Sequence, residues 1–395
     1  MKTIPQEELF HRIEGFQEKL KEKGTDLAVI IQNADLYYFS GTIQAEYLFI
    51  PQEGEPVLLV RRGSERAQAE SSFKKIIEFK SSREIPNILT QEDIELPEEL
   101  GLELDVLSYQ VATKLQHILE ADKLVNITTV IRQSRMIKSD YEIILMKRAA
   151  NQLKKIPTLI KSNLQEGMSE LELSSIIEEH LRLQGHPGRI RMRGLTNEMP
   201  IGVCVSGDNA EVPLKTDALC GGPGIHASIG IGSSKKKIIE GEPIVIDFVS
   251  NHHGYHVDQT RLAVLGEPSA YLQETYEKSV ELLDKLSEYL LPQHTWQEIY
   301  EQGKRLAEEL DVADYFMGHG ENKVRFVGHG VGLELNEFPF LADGLDIDLE
   351  PGMTIALEPK LLIPELGAIG IENTYLITED GPQNLTTSSE ELIIV

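Results

Sequence analysis

The sequence predicts a mixed α/β (α+β) protein in two parts: a small amino-terminal α/β domain over residues 1–132, then a larger pseudo-twofold domain over residues 133–395. Three observations lead there. A chain of 395 residues is too long for one hydrophobic core, so two or more domains are expected. Short apolar runs alternate with amphipathic stretches as far as Ile131, the pattern of a compact α/β unit. Beyond that point a series of helix, break, helix and strands occurs twice.

Residues 6–23 form the first predicted helix, with Leu9, Ile13, Phe16 and Leu20 spaced to share one face. Strand-like runs follow at Leu27–Ile31, Tyr38-Phe39, Tyr47–Ile50 and Pro56–Val60. This first domain contains no cluster of catalytic or metal-binding residue types, which leaves it dimer contact, substrate-length control and covering a site as roles. A polar linker is expected at Arg132–Lys138. Ser139-Asp140-Tyr141-Glu142 and Ser169-Glu170-Leu171-Glu172 are capping boxes that open two helices around a break at Gly167. The same order returns with a helix from Ala270 to Leu290, a break at Pro292 and a third capping box, Thr295-Trp296-Gln297-Glu298.

Composition narrows the function. A net charge of −26 argues against nucleic acid and against an anionic membrane surface as partners. Hydrophobic residues make up 41% and charged residues 26%, values of a folded globular chain. Met1–Glu8 has no apolar signal core, and no apolar run is long enough to span a bilayer, so a cytoplasmic location is expected. Cys204 and Cys220 are too few for a disulfide framework and are read as packing residues.

The informative residues are Asp247, Asp258, His329, Glu358 and Glu372. Asp247 follows the run Ile244-Val245-Ile246, and Asp258 lies on the returning strand after a His-His-Gly turn, so a hairpin brings both to one end of a sheet. Glu358 and Glu372 sit in the otherwise apolar strings Thr354–Pro359 and Ala368–Asn373, where a charge is costly unless paired or bound to a cation. His329 stands between Gly328 and Gly330, whose lack of side chains lets backbone come close. Four carboxylates and an imidazole make an oxygen-rich donor set that two divalent ions would neutralise better than one. Mn suits it best, and Co, Zn and Fe also fit.

The order Asp, Asp, His, Glu, Glu in these strings resembles the metallopeptidases that include methionine aminopeptidase, aminopeptidase P and prolidase, whose fold is called pita-bread. The resemblance covers residues 135–395. More weakly, residues 1–132 resemble the amino-terminal domain of the prolidase, aminopeptidase P and creatinase branch. It implies a hydrolase that cleaves the bond before proline in short peptides through a water activated by two metal ions, with Glu358 as general base, and it implies a homodimer. Two other readings stay open: a metal-dependent enzyme on a small non-peptide C–N substrate, and a catalytically silent binding protein.

The chain departs from the family at two auxiliary histidines. One is replaced by Asn336, ahead of Glu337; Asn can bind a substrate carbonyl or oxyanion but cannot carry a proton near neutral pH. The other would fall on Leu214 or Gly230, depending on the direction of counting. His226, His252 and His256 are the candidates to compensate. His256 shares a strand face with Asp258, which makes it either a residue that holds Asp258 in place or the catalytic candidate among them. His319, in a second Gly-His-Gly, and His226 are placed at the substrate end, and Arg261 is expected to orient a site carboxylate. Arg189, Arg191 and Arg193 alternate as a strand would, which reads as an exposed strand offsetting nearby acids or, alternatively, as a site for a carboxylate or other anion.

Overall fold

A computed structural model describes residues 4–194, 198–215 and 219–395. Met1–Thr3, part of the segment read above for a signal core, lie outside the described residues. The chain forms two compact units: the first runs to Arg135 and takes in Arg193, and the second begins at Met136.

In the first unit α1 (Gln6–Lys23) buries Leu9, Ile13, Phe16 and Leu20 and ends on Gly24 in the left-handed conformation. It is followed by β1 (Leu27–Ile30), α2 (Asn33–Ser40), β2 (Tyr47–Pro51), β3 (Val57–Val60), α3 (Ser64–Glu70) and β4 (Ile76–Glu78). Then come α4 (Ile85–Gln91), β5 (Glu99–Leu102), α5 (Tyr109–Ile118), β6 (Lys123–Asn126) and α6 (Thr128–Met136). The strands form one sheet in the order β4-β3-β2-β1-β5-β6.

Three expectations change here. Tyr38-Phe39 lies in α2 rather than a strand, because the Gln32 side chain accepts the N–H groups of Ala34 and Asp35 and starts a helix there. The expected linker around Arg132 is largely helical, since α6 buries Ile131 and Met136. The stretch around Arg191 is irregular rather than extended. Its Arg193 is buried and donates to Asp35 at 2.7 Å, beside Arg135, which also pairs with Asp35. Arg193 is therefore a structural cation that helps satisfy the buried Asp35.

The second unit begins with α7 (Asp140–Leu153), α8 (Ile156–Asn163) and α9 (Glu170–Leu183), followed by β7 (Gly202–Ser206), β8 (Pro243–His252) and β9 (Tyr255–Val264). Both capping boxes close with reciprocal side-chain and backbone bonds. Then α10 (Ala270–Ser287) and α11 (Trp296–Glu309), the latter opened by the third capping box, lead into β10 (Phe326–Gly330), β11 (Glu337–Ala342) and β12 (Thr354–Leu357). The chain closes with β13 (Lys360–Ile363), β14 (Gly367–Gly370), β15 (Asn373–Thr378), β16 (Gly381–Asn384) and β17 (Ile393–Ile394). Helices followed by strands thus occur twice. One sheet has the order β17-β9-β8-β7 and the other β11-β10-β12-β15-β16, with β13 and β14 pairing as a hairpin. A bridge between Thr260 and Glu372 ties the sheets together.

Helices α7 and α9 pack on the first sheet, and α10 and α11 on strands of the second half. The core around α10 and α11 includes Leu282, Leu286, Trp296, Ile299, Val327 and Ile355, all almost fully inaccessible. Every residue of β9 is buried, so any charge placed on it must find a partner inside the protein.

Candidate metal centre

Strand register decides which side chains meet. In the β8–β9 hairpin Asp258 lies directly across from Val249 and Asp247 across from Thr260. Residues opposite one another share a face, as do residues two apart, so the two aspartates are diagonal neighbours on one face. Leu357 pairs with Asn373, and the same ladder continues beyond the site with Lys360 opposite Gly370. That register sets Glu358 across from Glu372, with Lys360 on the same face as Glu358. His329 pairs with Ala356, two residues before Glu358, and joins this face. Gly330 has a packing reason: a Cβ there would meet the Phe338 carbonyl oxygen at 2.1 Å. The glycine serves the close approach of β10 and β11 rather than of a ligand.

The structure brings Asp247, Asp258, His329, Glu358 and Glu372 together at the end of these strands. Donor atoms of Asp258, His329 and Glu372 lie within 4.8 Å of one another. Glu372 is 1% exposed; its Oε2 accepts from the Thr260 hydroxyl at 2.7 Å. Its Oε1 is buried and has no hydrogen-bond partner. A buried carboxylate oxygen without a partner is costly, and a cation is the natural remedy. The His329 Nδ1 lies 3.1 Å from the Gly330 carbonyl; a proton held there leaves Nε2 free as a metal ligand. These three side chains fit a divalent ion.

The rest of the cluster holds a residue that pattern reading missed. Lys360 is buried, and its Nζ lies 2.8 Å from Glu358 Oε2, 2.9 Å from Asp247 Oδ2 and 3.3 Å from Glu372 Oε2. Two signals pointed to it: a lysine opening the apolar run Lys360–Ile363, and its place two residues after Glu358, hence on the same face. What the strings do not reveal is that Gly370 lies opposite. The other Glu358 oxygen, Oε1, faces His329 Nε2 at 3.7 Å.

The electrostatics follow from this crowding. Burial and the neighbouring charges of Glu372 and Asp247 push Asp258 well above the usual carboxylate range. Burial, opposed by Lys360 but reinforced by Glu358 and Asp247, raises Glu372 to about 8. Burial alone would lower the Lys360 ammonium, but Asp247, Glu358 and Glu372 outweigh it and keep it charged.

The remaining predicted residues are placed as follows. His256 is buried; Asn251 Nδ2 lies 3.0 Å from Nε2, and the Arg191 N–H donates to the same nitrogen. Its Nδ1 lies 2.9 Å from the Gly332 carbonyl. Burial lowers its pKa to about 4, so it is neutral at pH 7. With both nitrogens engaged it has no free proton site to offer a substrate, contrary to the catalytic role read from its strand position. Arg261 reaches Glu372 through the main-chain carbonyl, at 2.9 Å, rather than through the carboxylate, and also donates to Asn373 Oδ1 at 2.9 Å. Asn336 is half-buried immediately before β11. His226 is exposed and contacts the Ser228 hydroxyl at 2.8 Å, and His319 lies 4.0 Å from Glu211. His252 stacks on His253, ring centroids 4.2 Å apart. Cys204 and Cys220 are free and buried.

Comparison with known proteins agrees with this architecture. The model of metallopeptidase family M24 matches residues 144–379, and that of the creatinase/prolidase N-terminal domain matches residues 12–137. An Xaa-Pro dipeptidase of Pyrococcus furiosus is 28% identical over 384 residues, covering 97% of this chain and 99% of the relative. Among solved structures, the Xaa-Pro dipeptidase from Bacillus anthracis superposes with a TM-score of 0.83 at 26% identity, over 98% of this chain and all of that one. The prolidase from Pyrococcus horikoshii OT3 gives 0.79 at 27% identity, over 97% and 99%.

Proposed function

Because this chain belongs to metallopeptidase family M24, we propose that it is a metal-dependent hydrolase that cleaves the bond preceding proline in short peptides. The observation that carries the reading is the convergence of Asp258, His329 and Glu372 around a buried carboxylate oxygen that lacks a partner, with Glu358 alongside. The relatives named for Xaa-Pro dipeptidase activity support the choice of substrate.

Asp258, His329 and Glu372 would hold the ion. A divalent cation bound there, Mn suiting the oxygen-rich donors, would polarise the scissile carbonyl and make water a better nucleophile near neutral pH. Glu358 is the general base: its Oε1 takes the proton of the attacking water and returns it to the departing amine. Lys360 holds the other oxygen of that carboxylate and fixes its orientation. The Asn336 amide donates to the substrate carbonyl as negative charge develops on it. His256 is a positioning residue that ties Asn251 to the Gly332 backbone.

The test is a panel of Xaa-Pro dipeptides and tripeptides, with Xaa-Ala controls, offered to metal-stripped protein with and without Mn. Metal-dependent release of the first residue, selective for proline, is the expected result. Metal binding without cleavage of any peptide would overturn the peptidase reading in favour of a non-peptide substrate.

A further inference from the structure

We propose that Lys360 is a built-in cation that takes the place of one metal ion, so that the centre binds a single divalent ion per chain, at Asp258, His329 and Glu372. The inference rests on the metal-dependent reading above and revises the expectation of two ions.

The ammonium of Lys360 contacts Asp247, Glu358 and Glu372 at 2.9, 2.8 and 3.3 Å. A divalent ion bound to Asp247 and Glu358 through the same oxygens, at about 2.0–2.2 Å, would need the volume that the ammonium fills. The side chain is only 2% exposed, so it has no solvated position to which it can withdraw without repacking. The backbone is arranged for it. Gly370 lies directly opposite Lys360 in the β13–β14 ladder, and a Cβ there would sit 2.7 Å from the lysine Cγ and 3.0 Å from its Cα. The missing side chain of Gly370 is the space through which the lysine stem reaches the acids.

Charge balance points the same way. With all four carboxylates ionised, as metal binding requires, the Lys360 ammonium leaves the cluster at −3, which still calls for a cation. One divalent ion brings it to −1. A second would bring it to +1 and would set a dication against the buried ammonium over the Asp247 and Glu358 oxygens that Lys360 already holds. The two halves also differ in their partners: Asp247 Oδ2 and Glu358 Oε2 are each held by Lys360, whereas the buried Glu372 Oε1 has no hydrogen-bond partner.

The test is metal stoichiometry, which does not depend on knowing the substrate. Metal-stripped protein is equilibrated with Mn, dialysed, and assayed for bound metal by mass spectrometry and for exchange-coupled Mn pairs by electron paramagnetic resonance. The expected result is one Mn per chain and no coupled-pair signal. In Lys360→Ala, which removes the ammonium and opens its volume, two Mn per chain and a coupled signal are expected. Two ions or a coupled signal in the unaltered protein would overturn the proposal, as would zero ions. So would a folded Lys360→Ala variant, checked by circular dichroism, that still binds one. The stoichiometry of the unaltered protein decides the question even where the variant does not fold. A centre that holds one Mn but cleaves no peptide would refute the peptidase reading and leave this one standing.

Discussion

Replacing Lys360 by Met keeps most of the stem and removes the charge. In the metal-free protein Asp247, Glu358 and Glu372 then face one another without the cation that holds them at 2.8–3.3 Å. Each contact is worth about 5–6 kcal/mol by Coulomb's law at an effective dielectric constant of about 20. The desolvation of a buried ammonium takes back much of that total, and removing one partner of a buried ion pair costs about 3–5 kcal/mol net. For a unit of this size that corresponds to a fall in Tm of roughly 6–10 °C. The assay is calorimetry in EDTA at pH 7.5, followed by repetition with Mn, which should recover much of the loss. The pH dependence has a definite sign. Carboxylates whose folded pKa is raised, as Glu372 already is to about 8, contribute stability at low pH that is lost as pH rises through that value. The deficit of the variant should therefore be small near pH 4.5 and grow towards pH 8. Equal Tm for the two proteins in EDTA at pH 7.5 would refute the reasoning.

Arg261→Met removes donors from the carbonyl groups of Thr260, Glu372 and Ser389 and from Asn373 Oδ1; Thr260 and Asn373 keep the Glu372 N–H and the Thr386 hydroxyl as donors, so the buried Glu372 carbonyl loses most. A loss of about 1–3 kcal/mol in urea unfolding is expected, and no measurable loss would contradict the role assigned to it. His186 is buried, and burial together with Arg182 lowers its pKa from 6.5 to about 4. A base with a depressed folded pKa stabilises the protein above its unfolded value, and that contribution is lost as pH falls from 6.5 towards 4. The shift corresponds to at most about 3 kcal/mol and, discounted for partial hydration of the ring, about 2 kcal/mol. Comparison of the unfolding free energies of the unaltered protein and His186→Asn at pH 7 and pH 4 measures it; identical pH profiles would refute it.

Much of the architecture is written locally. Ser139 with Glu142, Ser169 with Glu172 and Thr295 with Glu298 announce three helix starts, because a capping box is an interaction across three residues. The spacing of Leu9, Ile13, Phe16 and Leu20 likewise contains its own buried face. Asp247, Glu358 and Glu372 are legible because each interrupts an apolar run, and Asp258 because it lies on the strand returning from the His-His-Gly turn. Tyr38-Phe39 misled for the opposite reason: a short aromatic pair has no period of its own, and the Gln32 cap decided its state.

The sequence by itself determined the two-part α/β organisation and the donor types of the centre, since both rest on periodicity and residue chemistry within short windows. It did not determine what each donor faces. That His256 has both nitrogens occupied, by Asn251, Arg191 and Gly332, depends on contacts up to 76 residues apart. That Lys360 reaches Asp247 across 113 residues, over a glycine placed opposite it, depends on strand register. Register is set by the packing of whole sheets, and a slip of one residue would turn the lysine to the other face. Only the tertiary structure could therefore show that the acids of this centre already hold one cation of their own.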